Sequence, residues 1–219
     1  VWALLSPALF AQENPFLPLQ ILAETVDPET GNRYQLTSVT TWLEANDFAQ
    51  EQGGWLWAVN SSREMNLVID SFLAARQTAL DSYVTPEGFG GSPDGDLYIG
   101  LTDSDLVGFS CSIDGSCEGN FQWTNGDPVT FTNWSGGEPN NVGVGTDPAG
   151  EDFAEIWNLT GDRSWNDDND RGSGLNGLPP STPARLPAGG NFAVVELPPI
   201  PPPAILEVNS EGFARITSQ

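Results

Sequence analysis

Trp134-Ser135-Gly136-Gly137-Glu138-Pro139-Asn140-Asn141 opens a long polar segment, and two later patches answer it: Gly150-Glu151-Asp152 and Trp165-Asn166-Asp167. Together they offer side-chain oxygens from Glu138, Asn140, Glu151, Asn166 and Asp167. Carboxylate and carboxamide oxygens from separate loops suit a hard divalent cation, and calcium takes roughly six to eight oxygens in an adaptable shell. Five side chains and a backbone carbonyl leave about two positions open, which two adjacent hydroxyls of a sugar can fill. The carboxamides donate hydrogen bonds and the carboxylates accept them, so each hydroxyl can meet both ion and protein. Trp134 and Trp165 each precede ligand candidates and are expected to point the other way, as core anchors for the loop, the alternative being rings that stack on a sugar.

Outward from these patches, the chain reads as short strands preceded by two helices. Arg33 to Leu36 is a first strand. Thr41 to Gln52 has Trp42, Ala45, Phe48 and Ala49 at helical spacing and a stop at Gly53-Gly54. Trp55 to Val59 is a strand. Ser61-Ser62-Arg63-Glu64 is a capping box, opening a helix through about Leu73 with Met65, Val68, Ile69 and Phe72 inward. Gln77 to Asp96 reads mostly as loop. Leu97 to Leu101, Phe121 to Trp123 and Val129 to Phe131 read as strands, Phe153 to Asn158 and Ser164 to Asn166 as a hairpin, and Asn191 to Leu197 as a closing strand. Helices first and short strands after indicate an α+β domain.

The ordered set resembles the C-type lectin-like domain family. Glu138-Pro139-Asn140 is similar to its long-loop motif and Trp165-Asn166-Asp167 to the motif of its following strand. Tyr34-Gln35-Leu36, Thr41 to Ala45 with Gly53-Gly54, Ile99-Gly100-Leu101, Phe121 to Gly126 and Asn191 to Glu196 resemble its framework, so the likeness covers residues 31–197. The resemblance implies two helices packed on short antiparallel sheets with a long calcium-binding loop. It implies a cis Pro139, calcium ligands at Glu138, Asn140, Glu151, Asn166 and Asp167, and sugar contacts at the same residues. Glu-Pro-Asn goes in that family with mannose-, glucose- or fucose-type sugars. The stretch Val142 to Pro148 lengthens the spacing before Glu151, with Asp147 the competing donor. A second calcium site is matched in part by Asp103, Asn141 and Asp152 with Glu151 shared, but Val107 stands where an acid is expected. The family's core cysteines are replaced by residues such as Ala49, Phe153 and Val195, as in its cysteine-poor microbial members.

Composition narrows the function classes. With 30 acidic against 7 basic residues the formal charge of the 219-residue chain is -23, which repels nucleic acid and anionic membrane surfaces. The absence of His removes Ser-His-Asp chemistry and the usual catalytic zinc sites. Glu138 and Glu151 as the acid and base of a glycosidase is a poor alternative, since carboxylates sharing a metal are badly placed for that work. The chain is therefore expected to be non-catalytic. Its rival is a lectin-like domain that binds protein or another non-sugar ligand, with calcium in a structural role. Cys111 and Cys117 lie in a Ser/Gly/Asp loop and read as a local disulfide, the alternative being two free thiols. Residues 1–11 read as a signal-peptide remnant, 12–30 as an N-terminal lead, 31–197 as the lectin-like domain and 198–219 as a Pro-rich linker and tail. The signal-peptide remnant makes a secreted or cell-surface location the expectation; no stretch is long enough to span a bilayer, and an oligomer would add avidity.

Overall fold

A computed structural model of the protein describes residues 19–83, 95–104, 107, 117–142, 150–169, 190–201, 205–208 and 214–217. The signal-peptide remnant expected at 1–11, Cys111 and Asp147 lie outside the described residues. The chain forms β1 (Ile21–Val26), β2 (Arg33–Thr37), α1 (Trp42–Glu51), β3 (Trp55–Leu56), α2 (Ser62–Ser82), β4 (Leu97–Thr102), β5 (Gln122–Trp123), β6 (Phe153–Ile156), β7 (Trp165–Asp168), β8 (Phe192–Leu197), β9 (Ile205–Val208) and β10 (Ala214–Thr217). The main sheet runs β1-β2-β8-β4-β6-β7, with β3 added to β8 and β5 to β4. Its pairs are antiparallel except β4 with β8, which are parallel. The sheet is thus mixed where antiparallel pairing alone was expected, and the class is α+β.

Both helices begin where side-chain chemistry dictates. Thr41 Oγ1 accepts the Glu44 N–H at 3.2 Å and Ser61 Oγ accepts the Glu64 N–H at 3.2 Å, satisfying amides that have no partner inside the helix. Helix α1 buries Trp42, Ala45 and Ala49 against Leu56, Val195 and Leu197. The Trp42 indole donates to the Ile99 carbonyl at 2.8 Å and its ring lies 4.6 Å from that of Phe153. Helix α2 turns Met65, Val68, Ile69 and Phe72 into the second core, beside Trp57, Ile99 and Val194. A capping box would return the Glu64 carboxylate to the Ser61 amide. Here it accepts instead from the Asn60 N–H (2.9 Å), the Tyr34 hydroxyl (2.7 Å) and the Trp57 indole (3.0 Å).

Two expectations are corrected, and the segments read as lead and tail each prove to carry strands. Helix α2 runs nine residues past Leu73, to Ser82. Residues 74–80 are mostly good helix formers, and Gln77 Nε2 donates to Asp81 Oδ1 at 2.8 Å one turn on. Residues 129–131 form no strand: Val129 is exposed, and Phe131 spends its ring on Trp165 at 5.8 Å. The lead contains strand β1, closed onto β2 by a turn in which the Gly31 N–H donates to the Asp27 carbonyl at 2.8 Å. The tail contains an antiparallel hairpin, β9 with β10.

Strand β4 is fully buried and fixes the centre of the sheet. Its Gly100 donates to the Trp57 carbonyl at 2.8 Å, and a Cβ there would fall on the Leu56 carbonyl oxygen, so only glycine lets β3 and β4 approach this closely. The register of β6 on β7 sets Ala154 opposite Asp167 and Glu155 opposite Asn166. That places the polar patches of the sequence at one end of the sheet.

Candidate functional site

Trp165 ties the long loop to β7. Its fully buried ring meets Trp123 at 5.9 Å, Phe131 at 5.8 Å and Trp134 at 5.8 Å, all edge-on. Its N–H donates to the Asn133 carbonyl at 2.8 Å and its carbonyl accepts the Ser135 N–H at 2.9 Å. The aromatic that opens the Trp-Asn-Asp patch is therefore a core anchor, as its place before polar residues implied. Packing of this ring system fixes where Asn166 and Asp167 stand relative to the loop.

From Ser135 the loop turns back, with the Glu138 N–H on the Ser135 carbonyl at 3.0 Å and a cis peptide between Glu138 and Pro139. The Asp167 carboxylate, 1% exposed, then gathers it. Its oxygens accept the Asn140 N–H at 3.1 and 3.0 Å and the Asn141 N–H at 2.8 Å. Asn140 Oδ1 accepts the Val142 N–H at 2.6 Å. Asn141 adopts a left-handed backbone (φ 52°), and its carboxamide bridges two segments: Nδ2 donates to Glu118 Oε1 at 2.7 Å and Oδ1 accepts the Glu151 N–H at 2.7 Å. Gly150 has φ 86°, and a Cβ on it would fall on that carboxamide, so the approach to Glu151 needs glycine. Asn166 is half-buried and donates through Nδ2 to Glu155 Oε1 at 3.3 Å.

The electrostatics are those of acids crowded together. The Glu151 carboxyl is pushed up to about 7, first by burial and then by the charges of Asp167, Asp168 and Glu138. Glu138 is raised as well, by burial and then by the carboxyl of Asp167, which it faces. Glu138 Oε2 is buried without a hydrogen-bond partner. Among the described residues no three His, Cys, Asp or Glu side chains close round one point as ready metal ligands. The donors are all hard oxygens, one of them buried and unpartnered, and their mutual repulsion is what a divalent cation would relieve. The set fits calcium on both counts.

Asp167 thus links the site: it accepts the Asn140 N–H, its charge acts on Glu138 and Glu151, and Asn166 precedes it on β7. The second group adjoins the first, because the Asn141 carboxamide joins Glu118 to Glu151. Asp103, 3% exposed at the end of β4, accepts the Gly119 N–H on Oδ2 at 2.7 Å and has no partner on Oδ1. Its carboxyl is pushed up to about 7 by burial and by the charges of Glu118 and Asp152. Asn141, expected among the donors of this group, has its carboxamide oxygen on the Glu151 amide. Val107, where an acid was expected, is half-buried against Trp42 and its neighbours. Cys117 is buried, next to Glu118 in sequence. The sequence reading missed Glu118 and Glu155. Glu118 follows a cysteine in a loop with no periodic signal, and Glu155 reads as one polar residue in an apolar strand.

No family model matches the chain. It is 31% identical over 127 residues to echinoidin of Heliocidaris crassispina, across 53% of this chain and 70% of echinoidin. It is 32% identical over 143 residues to the alpha-N-acetylgalactosamine-specific lectin of Patiria pectinifera, across 63% of this chain and 67% of that lectin. Among solved structures, the C-type lectin CEL-I from Cucumaria echinata is 25% identical, covering 66% of this chain and 86% of that one with a TM-score of 0.46. No helix among the described residues is long and apolar enough to cross a membrane. With two relatives matched over two thirds or more of their length, the chain belongs to the C-type lectin-like domain family.

Proposed function

We propose that residues 31–197 form a calcium-dependent, non-catalytic carbohydrate-binding module of mannose type, with Glu138, Asn140, Glu151, Asn166 and Asp167 as the side chains that hold ion and sugar. The observation that carries this reading is the Asp167 carboxylate. It fastens the Asn140-Asn141 turn to β7, while Asn141 fastens Glu151 to the same turn. Bound calcium would supply a positive centre on which two adjacent sugar hydroxyls can be coordinated. The chain's own part is to accept hydrogen bonds from sugar hydroxyls on Glu138 and Glu151 and to donate hydrogen bonds from the Asn140 and Asn166 carboxamides. The order Glu138-Pro139-Asn140 supports mannose-, glucose- or fucose-type sugars. One relative is named for N-acetylgalactosamine, so galactose-type sugars belong in the test. Affinity for one sugar is expected near millimolar, and an oligomer would raise it through multivalency. A secreted or cell-surface location, with residues 1–11 as a leader remnant and Cys111 bridged to Cys117, completes the proposal.

The test is calorimetric titration of the full chain with calcium, then a glycan array with and without chelator. Calcium-dependent capture of mannose-type glycans, reversed by free monosaccharide, is the expected result. No calcium uptake, or glycan capture indifferent to chelator, would overturn it. Calcium uptake with no glycan captured would favour the rival, a protein-binding domain with structural calcium. A stoichiometry near one ion would leave Asp103, Asn141 and Asp152 without a calcium of their own.

A further inference from the structure

We propose that Glu155 is a positioning residue for this site: it holds the Asn166 carboxamide in the one orientation that serves both ion and sugar. The inference rests on the calcium-site reading above and assigns a role to a side chain outside the ligand set. Glu155 lies on β6, 3% exposed and directly opposite Asn166 in the register. Its Oε1 accepts from Asn166 Nδ2 at 3.3 Å and its Oε2 accepts from Asn191 Nδ2. Asn191, fully buried, is pinned by its own backbone: its N–H donates to the Thr40 carbonyl at 3.2 Å and its carbonyl accepts the Thr40 N–H at 3.0 Å. The carboxylate is therefore gripped from the start of β8 on one side and presented to β7 on the other.

A carboxamide can be turned end for end with little change of shape, exchanging an acceptor for two donors. An ionised carboxylate only accepts, so against Glu155 just one of the two orientations is favourable. In it one Nδ2 hydrogen goes to Glu155. The Oδ1 of Asn166 is then directed away from Glu155 as the oxygen a cation needs, and the second Nδ2 hydrogen serves a sugar hydroxyl. Turned over, Asn166 would set oxygen against oxygen and offer a cation an NH2 group. Burying a carboxylate, here 3% exposed, is costly. Fixing the orientation of a ligand is a use that accounts for that cost.

The experiment uses the full chain as wild type, Glu155→Gln and Asn191→Ser. Each is titrated with calcium, and the Asn166 side-chain NH2 signal, identified by its loss in Asn166→Ser, is followed by NMR in calcium-free buffer. In the wild type one of the two NH2 protons should exchange slowly with solvent. In Glu155→Gln one of the two oxygen positions, each now holding a different Asn, becomes an NH2 that cannot accept, so the network is broken on one side, that protection should fall and calcium should bind about tenfold more weakly. Asn191→Ser frees one side of the carboxylate and should shift both readouts the same way by a smaller factor, about threefold in calcium affinity. A folded Glu155→Gln protein with wild-type calcium affinity overturns the proposal. So does weaker calcium binding with an unchanged Asn166 signal, which would mark Glu155 as merely structural. If Glu155→Gln does not fold, Asn191→Ser decides by the same two readouts. Failure of the wild type to bind calcium would sink the functional reading instead, while the Asn166 signal would still judge the positioning.

Discussion

Glu196 should make calcium-free stability fall as the pH rises toward neutrality. The residue sits on β8, 3% exposed, and its carboxylate accepts from the Asn32 carboxamide (2.7 Å), the Trp55 indole (3.1 Å) and the Ala58 N–H (3.2 Å). Burial, then the nearby charge of Glu64, push its carboxyl from 4.5 up to about 7, against the partial help of those donors. Tyr34 also faces it and is held high by burial, so it stays neutral throughout. A carboxyl that titrates at 4.5 unfolded and at about 7 folded binds more protons in the native state between those values. Its contribution is fully present below 4.5 and is lost as the pH passes through about 7. The difference amounts to about 3 kcal/mol. Glu196→Gln mimics the protonated form at every pH. Urea unfolding of both proteins in chelator at pH 4.5–8 should therefore show the variant gaining about 3 kcal/mol on the wild type as the pH rises. Subtraction removes the general repulsion of so acidic a chain, along with the titrations of Glu151 and Asp103. A gap that stays level across the window would refute the assignment of a buried, proton-binding Glu196.

Four further outcomes test the framework and the site. Trp165→Ala should cost about 3–5 kcal/mol in urea unfolding, because it empties the centre of the aromatic cluster. Gly100→Ala should cost about 1–3 kcal/mol, since its new methyl meets the Leu56 carbonyl oxygen. Ser61→Ala should lower the urea midpoint by the equivalent of about 1 kcal/mol with an unchanged slope, the signature of a lost helix cap. Asp167→Asn should still fold in chelator but lose the calcium-dependent rise in thermal midpoint; the wild type should gain about 2.7 kcal/mol in calcium at a hundredfold excess over its dissociation constant.

Where local chemistry decides an element, the sequence was readable. Thr41 and Ser61 cap as their side chains require, and the helical faces of Trp42, Ala45, Val68 and Phe72 point inward. Trp165 announced itself as an anchor because a large indole before Asn and Asp has no reason to face water. Elsewhere tertiary partners decided. Strand β1 carries only modest alternation, and its neighbour β2 makes it a strand. Val129 to Phe131 has strand propensity but no neighbour offering a ladder, and propensity alone does not build a sheet. The last nine residues of α2 form a helix through their own propensity, which was hidden because the apolar face thins after Leu73. Glu118 and Glu155 were illegible for a related reason. Each matters through a residue far away in sequence, Asn141 for the first and Asn166 and Asn191 for the second, and one sequence carries no mark of such pairs.

The geometry also divides the work of the loop between protein and ion. Ordering of the whole 134–152 segment by calcium is the simplest expectation from acids spread along a loop. Yet residues 134–142 carry anchors of their own: the Trp165 bridge at one end, the Asp167 carboxylate in the middle and the Asn141 carboxamide toward the other. Asp167 uses both oxygens on backbone amides while an ionised carboxylate has about four lone-pair sites, so it can hold the turn and still serve a cation. Its two tasks are then chemically distinct. Asp167→Asn keeps one oxygen for the amides and gives up the charge, so it should spare the turn far more than it spares the cation. On the proposed reading, what calcium has left to do is bring together Glu138 and Glu151, two carboxyls raised first by burial and then by the charges of neighbouring acids. On this view affinity is governed less by assembling a loop than by the burial and mutual repulsion of those carboxylates.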